Sequence, residues 1–289
     1  MPEVSERGGR EPRFKPRIWG DMHVHSSFSV DAEPSVAQVC RRASELGMSF
    51  IYITDHFDHN PLDRGAGRLD PILYRDELVR QRELWRGKVE LRIGIEVSEP
   101  HVYRDEFRRL LEIVPLDVVI GAVHWLPGVP VYPEDEEFFR STPPEKAYTA
   151  YFREVLRMME FGGFDVLAHI DFIKRKAVRF YGPFNWEDYR GLVVPVLEAA
   201  VERGIALEVN TSGLRRPCGE TCPTSGMLRE YRRLGGRMVT VGSDAHRTDD
   251  IGSGFHEALR EIRAAGFDEI TFFRGRTPYQ VRIDCRLGI

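Results

Sequence analysis

Short β-rich runs alternate with amphipathic helical stretches along nearly the whole chain, and this alternation restricts the possible folds more than any other feature. Several of the β-rich runs are continuously apolar, which is typical of parallel strands that are buried on both faces. The predicted strands are Ile18–His25, Phe50–Thr54, Val89–Val97, Asp117–Val123, Asp165–His169, Ala206–Asn210 and Arg237–Gly242, with Glu269–Phe273 as a weaker eighth. The predicted helices are Pro34–Leu46, Pro71–Trp85, Tyr103–Ile113, Ala147–Glu160, Trp186–Arg203, Ser225–Leu234 and Phe255–Ala265.

This order of elements predicts an α/β fold with one barrel-like domain. The 289 residues have room for about seven or eight strand–helix units, and no Pro-, Gly- or Ser-rich linker divides them. We therefore expect a single domain over residues 17–289, preceded by a flexible tail over residues 1–16. The tail is charged and lacks the apolar core of a secretory signal, and no apolar run approaches the roughly 20 residues that cross a bilayer. We expect a cytoplasmic protein with no membrane partner.

The charge balance bears on the class of partner. The chain is 30% charged with a net charge of -4, which argues against a broad electrostatic footprint for DNA or RNA. A small anionic substrate remains possible, because a site can be locally positive on an acidic protein.

Histidines mark the ends of the predicted strands. The chain has nine, and six of them lie at or just beyond the carboxyl end of a strand, where β/α barrels gather their catalytic groups. In the first strand, alternation puts His23 and His25 on one face, with Asp21 on the same face. Two imidazoles that project together can chelate a divalent ion, and a nearby carboxylate can orient one of them.

The other strand ends add ligand-type side chains to the same rim. They are Asp55 and His56, Glu96, His124, His169, and the pair Asp244 and His246. A single histidine at a strand end is more often a hydrogen-bonded polar residue than a ligand, and Gly242–His246 taken alone could be a turn with a helix cap. The regular placement of ligand-type side chains at the ends of six predicted strands favours a metal site. Of the remaining histidines, His59 is a rim residue within reach of a substrate, whereas His101 and His256 are expected at the surface.

These residues also resemble a known family, the PHP (polymerase and histidinol phosphatase) domain. Its four motifs match Asp21–His25 (DMHVH), Ile53–His56 (ITDH), Gly121–His124 (GAVH) and Gly242–His246 (GSDAH), and the resemblance extends from about Ile18 to the C-terminus. Within that family the chain looks like the monofunctional histidinol-phosphate phosphatases, through Gly94–Val97, Val119–Trp125, Phe164–Arg175 and Ala206–Glu220, although Glu99–Arg104 departs from that subgroup. The resemblance implies a distorted (β/α)7 barrel with a trinuclear metal cluster at the carboxyl rim of its strands.

Carried over residue by residue, the resemblance implies three metal positions. The first ion would be held by His23, His25, Glu96 and Asp244, the second by Glu96, His124 and His169, and the third by Asp31, His56 and His246. Many relatives have histidine at the position of Asp31, and a helix-cap role for Asp31 or Glu33 competes with the metal role. A site rich in histidine and carboxylate accepts two to three divalent ions, which could be Zn, Mn or Fe.

The ligand set indicates a mechanism. A metal-bridging hydroxide would attack the phosphorus, with Asp244, His246 and Glu96 as the candidate catalytic residues, and no enzyme nucleophile is required. Phosphate also needs cations, for which the planar fork of arginine is well suited. The candidate substrate contacts are Arg175 and Arg215, their neighbours Lys174 and Arg216, and Glu99 or Asn210 for an ammonium group.

Three functions remain open from the sequence. The leading one is hydrolysis of a small phosphorylated metabolite, above all L-histidinol phosphate to L-histidinol in histidine biosynthesis. The alternative is a PHP-type phosphodiesterase or exonuclease, which the acidic chain and the absence of a basic stripe disfavour. A third is a regulatory or phosphoprotein-phosphatase role, in which the Tyr132–Thr142 loop would serve as a lid or protein contact.

Overall fold

The computed structural model describes residues 20–131 and 136–283. The strands in these ranges are β1 (Gly20–Asp21), β2 (Phe50–Ile53), β3 (His56–Phe57), β4 (Glu90–Ser98), β5 (Val118–Ala122), β6 (Trp125–Leu126), β7 (Val129–Pro130), β8 (Val166–Leu167), β9 (Ala206–Asn210), β10 (Val239–Gly242), β11 (Glu269–Arg274) and β12 (Thr277–Arg282). The α-helices are α1 (Val36–Glu45), α2 (Pro71–Leu84), α3 (Arg104–Ile113), α4 (Glu137–Ser141), α5 (Pro144–Phe161), α6 (Lys174–Tyr181), α7 (Arg190–Arg203), α8 (Ser225–Arg233) and α9 (Phe255–Ala264). The predicted tail over residues 1–16 and the segment 132–135 of the predicted lid lie outside the described residues.

The main sheet is a nearly closed barrel of parallel strands in the order β1-β2-β4-β5-β8-β9-β10, with the short β3 also paired to β4. Every residue of β2, β5, β9 and β10 is buried, as expected for strands covered on both faces. The predicted distorted (β/α)7 barrel is therefore confirmed.

The barrel closes where the segment after β1 meets β10 and the residues that follow it. A parallel bridge joins Val24 to Ala245, and the amide of His25 donates to the carbonyl of Ala245 at 2.9 Å. On the other side of the bridge, the amide of Asp244 donates to the carbonyl of His23 at 2.8 Å. The residues that close the barrel are thus the predicted ligands and their neighbours.

The predicted eighth strand forms, but it lies outside the barrel. It is β11, which pairs with β12 as an antiparallel hairpin. The hairpin turn is fixed near the amino ends of the barrel strands, where the Arg276 guanidinium contacts the Asp165 carboxylate at 2.9 Å and the amide of Gly275 donates to Asp117 at 3.0 Å. The hairpin therefore lies at the end of the barrel opposite to the carboxyl rim.

Two helices differ from the sequence prediction. The helix α6, which begins with Lys174 and Arg175, was not among the predicted helices. Part of the predicted lid loop is helical as well, since α4 covers Glu137–Ser141. Among the described residues, no helix is both long and apolar enough to cross a membrane.

Candidate metal centre

All nine predicted ligands converge at the carboxyl rim of the barrel. Since the strands are parallel, residues that follow different strands meet at the same end. Glu96 comes from β4, the longest strand, and occupies the centre of the group. The others surround it and are His23, His25, Asp31, His56, His124, His169, Asp244 and His246.

The first predicted metal position has four donors at consistent separations. The Nε2 atoms of His23 and His25 are 3.1 Å apart, and they lie 3.4 Å and 3.5 Å from Glu96 Oε2. Asp244 Oδ1 lies 3.8 Å from His23 Nε2 and 3.4 Å from His25 Nε2. Donors about 2 Å from one tetrahedral ion are roughly 3.3 Å apart, so this set has the spacing of a metal site.

The other oxygen of Glu96 faces the second predicted position. His169 Nε2 lies 2.9 Å from Glu96 Oε1, and His124 Nε2 lies 3.6 Å from the same atom. Among the described donors of these two positions, Glu96 presents one oxygen to each, which is the arrangement expected of a bridging carboxylate.

The third predicted position lies nearer to the solvent. His246 Nε2 is 3.3 Å from Asp31 Oδ2, and His56 Nε2 is 3.7 Å from Asp31 Oδ1. His56 also reaches inward, with its Nδ1 2.8 Å from Glu96 Oε2. The side chain of Asp31 is 47% exposed, so this position is the most open of the three.

An unpartnered buried oxygen of Glu96 supports metal binding. Glu96 Oε2 is buried and has no hydrogen bond of acceptable geometry among the described residues, although three imidazole nitrogens lie within 3.5 Å of it. A buried carboxylate oxygen without a partner is costly unless a cation satisfies it. The residues therefore fit divalent ions of borderline softness.

The electrostatics keep the carboxylate donors Glu96 and Asp244 ionised. Burial opposes the ionisation of Glu96, but the imidazoles of His23, His124 and His56 hold its pKa well below the usual value. Burial likewise opposes the ionisation of Asp244, whereas His23 and Arg175 hold its pKa well below the usual value. Burial lowers the pKa of His124 to about 3, so its imidazole is neutral. Ionised carboxylates and neutral imidazoles are the forms that bind metals. Burial opposes protonation of His23 and His56, but neighbouring carboxylates raise the pKa of both well above the usual value, so these two imidazoles would release a proton when an ion binds.

Outer partners orient three of the histidines. Glu208 Oε1 lies 2.6 Å from His23 Nδ1, and the hydroxyl of Ser29 lies 3.1 Å from His25 Nδ1. The hydroxyl of Ser98 lies 2.9 Å from His124 Nδ1. These contacts leave the Nε2 atoms directed at the donor group. The sequence suggested Asp21 for such a role, but Asp21 accepts hydrogen bonds from backbone amides instead.

We expect the Glu208→Gln variant to bind metal 10- to 100-fold more weakly, because the carboxylate that orients a metal-bound histidine also raises its basicity. Competition against a chromophoric chelator measures the affinity. The control is Glu198→Gln, the same change on the exposed face of α7. Equal affinities for Glu208→Gln and the unmodified protein would show that His23 is oriented without this carboxylate.

Backbone strain is concentrated at the same rim. Asp244 has a φ of 52°, His169 a φ of 21° and Glu99 a φ of 46°, all in the left-handed region that non-glycine residues rarely adopt. Such strain persists only where the surroundings impose it, and it is commonest at functional sites.

A cavity of about 250 Å³ opens above the donors. Besides donor residues it is lined by Val30, Asp58, Asp63, Arg64, Phe172, Arg175 and Arg216. Arg175 donates to Asp244 Oδ2 at 3.0 Å and to Asn210 Oδ1 at 3.0 Å, and its guanidinium lies 4.5 Å from the Phe172 ring centroid. Arg216 is exposed, and its guanidinium has no partner among the described residues.

The other predicted substrate contacts do not line this cavity. Lys174 is fully buried, and its ammonium lies 2.9 Å from Asp171 Oδ2 and 2.6 Å from the carbonyl of Thr221. Arg215 donates to the carbonyl of Ser243 at 2.7 Å. The cationic groups of Lys174 and Arg215 therefore bind other groups of the protein. Both side chains connect segments of the rim and do not face the cavity.

Glu99 is also buried behind the cavity wall. Its Oε1 accepts from the amides of His124 at 2.6 Å and Trp125 at 2.9 Å. Burial raises the pKa of Glu99 to about 8, although these two amide donors oppose the shift.

Sequence reasoning missed several residues of the site. Glu208 was not singled out, although a charged residue within the apolar run of β9 was a usable signal. Asp58, Asp63 and Phe172 gave no signal, because only the fold brings them to the cavity. His101 was expected at the surface but is buried, with its Nε2 2.6 Å from Glu154 Oε1.

The seven-stranded parallel barrel and the donors at its carboxyl rim define a β/α-barrel metalloenzyme. The PHP domain family profile matches residues 21–212. The chain belongs to the PHP domain family. The predicted family membership is thereby confirmed.

Individual relatives agree with this assignment. A probable histidinol-phosphatase of Clostridium acetobutylicum is 30% identical over 262 residues, which cover 90% of this chain and 98% of the relative. The histidinol-phosphatase of Lactococcus lactis is 28% identical over 261 residues, covering 88% of this chain and 94% of the relative. The crystal structure of histidinol phosphate phosphatase from Lactococcus lactis, complexed with zinc, L-histidinol and phosphate, superposes with a TM-score of 0.81 at 26% identity, covering 90% of this chain and 98% of that one. The predicted enzyme class, a phosphoric monoester hydrolase, is confirmed.

Proposed function

We propose that the protein is a metal-dependent phosphomonoesterase that hydrolyses L-histidinol phosphate to L-histidinol and phosphate in the cytoplasm, as a step of histidine biosynthesis. One observation carries the proposal: seven of the nine donors, together with Arg175 and Arg216, line the same cavity of about 250 Å³. A cavity of this size favours a small monoester over a nucleic-acid strand. The relatives named histidinol-phosphatase, which this chain matches over most of its length, support the choice of substrate.

The donor residues would hold two to three divalent ions of zinc, manganese or iron. In this assignment His23, His25, Glu96 and Asp244 form one position, Glu96, His124 and His169 a second, and Asp31, His56 and His246 a third. Bound divalent ions lower the pKa of a coordinated water and withdraw charge from phosphoryl oxygens.

The protein side chains would position the phosphate and take part in protonating the leaving alkoxide. The Arg175 fork is fixed by Asp244 and Asn210, so its remaining in-plane N–H groups can donate to phosphoryl oxygens without losing much side-chain entropy. Arg216 would donate hydrogen bonds to the phosphate from the solvent-exposed side of the cavity. Asp244 and His246 line the cavity beside Arg175, and a water or one of these two side chains would protonate the leaving alkoxide. Because Asp244 is ionised, it could pass on only a proton that it had first accepted.

The test is phosphate release by the metal-loaded protein from four substrates: L-histidinol phosphate, p-nitrophenyl phosphate, bis-p-nitrophenyl phosphate and a short single-stranded DNA. We expect the monoesters to be hydrolysed, with L-histidinol phosphate the fastest. Diester or DNA cleavage with inert L-histidinol phosphate would reject the proposal and favour the phosphodiesterase branch.

Two variants make the result specific to the metal site. His56→Ala removes a donor that contacts both Glu96 and Asp31, and we expect it to abolish most of the activity. His256→Ala is the same change at an exposed position of α9, and it should leave the activity unchanged.

A further inference from the structure

Asn210 lies behind the wall of the cavity and is held by backbone contacts on both sides. It is the last residue of β9, where it pairs with Gly242 of β10. On its other side, its amide donates to the carbonyl of Cys222 at 2.7 Å, and its carbonyl accepts from the amide of Cys222 at 2.9 Å. Asn210 is fully buried and does not line the cavity. The sequence suggested Asn210 as a contact for an ammonium group, but in this position its side chain does not reach a substrate.

The partners of the Asn210 side chain fix the direction of its amide. Nδ2 faces two carboxylate oxygens, Glu208 Oε2 at 3.0 Å and Asp244 Oδ2 at 3.4 Å. Oδ1 faces two donors, the backbone amide of Ser212 at 3.0 Å and the Arg175 guanidinium at 3.0 Å. Turning the amide over would place its oxygen against the carboxylates and its N–H groups against other N–H groups. An ionised aspartate of the same size could only accept, so this place in the structure requires an amide.

These contacts make Asn210 a second anchor for Arg175. The Arg175 guanidinium lies over the Phe172 ring, 4.5 Å from its centroid, but a stacked guanidinium can still rotate within its own plane. Two oxygens prevent that rotation, because Asp244 Oδ2 accepts from Nη1 and Asn210 Oδ1 accepts from Nη2, each at 3.0 Å. With Asp244 alone, the guanidinium could pivot about a single contact. Asn210 therefore determines which N–H groups of Arg175 are directed at the cavity.

The same amide is also connected to the first predicted metal position. Asp244 directs its Oδ1 at the two histidines of that position and its Oδ2 at Asn210 and Arg175. Glu208 is the second acceptor of the amide, and its other oxygen lies 2.6 Å from His23 Nδ1. One buried amide thus joins the cation beside the cavity to the carboxylates around the first ion.

We propose that Asn210 is a positioning residue, which holds the Arg175 guanidinium at the angle at which it binds the phosphoryl group beside the first metal position. The inference rests on the proposed function, since it is there that Arg175 receives the phosphate. Asn210 acts through Arg175 and does not touch the substrate, so its loss should weaken phosphate binding and leave the chemical step nearly unchanged. In kinetic terms, the change should raise KM and spare kcat.

The experiment is a double-mutant cycle on the metal-loaded protein, with inorganic phosphate as the competing ligand and p-nitrophenyl phosphate as the substrate. Asn210→Ala should raise both KM and the inhibition constant for phosphate about three- to tenfold, the effect of losing one hydrogen bond. Its kcat should change by less than about twofold at equal metal content, which is measured in the same samples. In the Arg175→Met protein, the same Asn210→Ala change should have no further effect on phosphate binding. The matched control is Asn185→Ala at an exposed position before α7, which should leave these constants unchanged.

Three results would overturn the inference. The first is an Asn210→Ala protein with an unchanged inhibition constant for phosphate. The second is an Asn210→Ala effect that persists in the Arg175→Met protein, because the amide would then act by another route. The third is an Asn210→Ala protein that holds no metal in metal excess, or that loses kcat at full metal content, because the amide would then act on Glu208 and the ions.

The proposed function fails separately. If the unmodified, metal-loaded protein hydrolyses neither p-nitrophenyl phosphate nor L-histidinol phosphate, the phosphomonoesterase proposal is rejected, and this inference with it. If both are hydrolysed and the Arg175→Met protein binds phosphate as tightly as the unmodified protein, only the role of Arg175, and with it that of Asn210, is rejected.

Discussion

Replacing Glu96 with glutamine should remove most of the metal and lower kcat/KM on phosphate monoesters by more than about a hundredfold. Loss of an outer partner of a ligand costs 10- to 100-fold, and Glu96 is itself the ligand shared by two predicted metal positions. The amide of glutamine keeps the size of the side chain but offers one donor oxygen instead of two. One of the two contacts, to the His23–His25 side or to the His124–His169 side, must therefore be lost.

Metal content by inductively coupled plasma mass spectrometry and kcat/KM on p-nitrophenyl phosphate measure the two effects together. The matched control is Glu160→Gln, an exposed position near the end of α5, which should retain both metal and activity. A Glu96→Gln protein with full metal content and normal kcat/KM would show that Glu96 does not bridge.

Replacing Gly242 with alanine should destabilise the protein by about 3 kcal/mol and weaken metal binding, although the change adds a single methyl group. A Cβ at this position would lie 2.4 Å from His23 Cβ and 2.5 Å from Glu208 Oε1. Neither neighbour can move freely, because His23 is in the closing segment of the barrel and Glu208 accepts from the amide of His169. Overpacking of a rigid core commonly costs 1–3 kcal/mol, and the strain here falls on a ligand.

Urea unfolding of the metal-loaded and the chelated protein separates the two contributions. Gly191→Ala is the control, since Gly191 lies near the start of α7 with no heavy atom within 4 Å of the added Cβ. That variant should be as stable as the unmodified protein or slightly more so. A Gly242→Ala protein that unfolds at the same urea concentration as the Gly191→Ala protein would refute the packing argument.

The convergence of the candidate ligands was predictable because it depends on local order. Alternation places His23 and His25 together, and parallel pairing brings the ends of distant strands to one rim, so residues such as Glu96 and His169 could be expected there before the fold was known. Both steps use the period of a strand and the direction of pairing, which the sequence carries directly. The assignment of these residues to three metal positions came from the family resemblance and stays a prediction.

The substrate contacts were less predictable because they depend on tertiary partners. Lys174 and Arg175 are adjacent in sequence, yet Lys174 is ion-paired to Asp171 inside the protein and Arg175 lines the cavity. Nothing in the order of residues distinguishes the two, since the difference arises from which face of α6 each one occupies. The hairpin of β11 illustrates the same limit, because its partner β12 alternates between exposed and half-buried residues and gave little signal. The single-domain boundary and the tail over residues 1–16 stay predictions.

The closure of the barrel has a consequence for how the protein is made. The contact between the amide of Ser243 and Asp21 joins residues 222 positions apart, and the ligands Asp244 and His246 follow directly. At about 5–20 residues per second, a ribosome needs on the order of tens of seconds to add the intervening chain. His23 and His25 thus leave the ribosome long before their partners exist. Complete ion binding is therefore a property of the finished chain, acquired only when its last barrel strand has been synthesised.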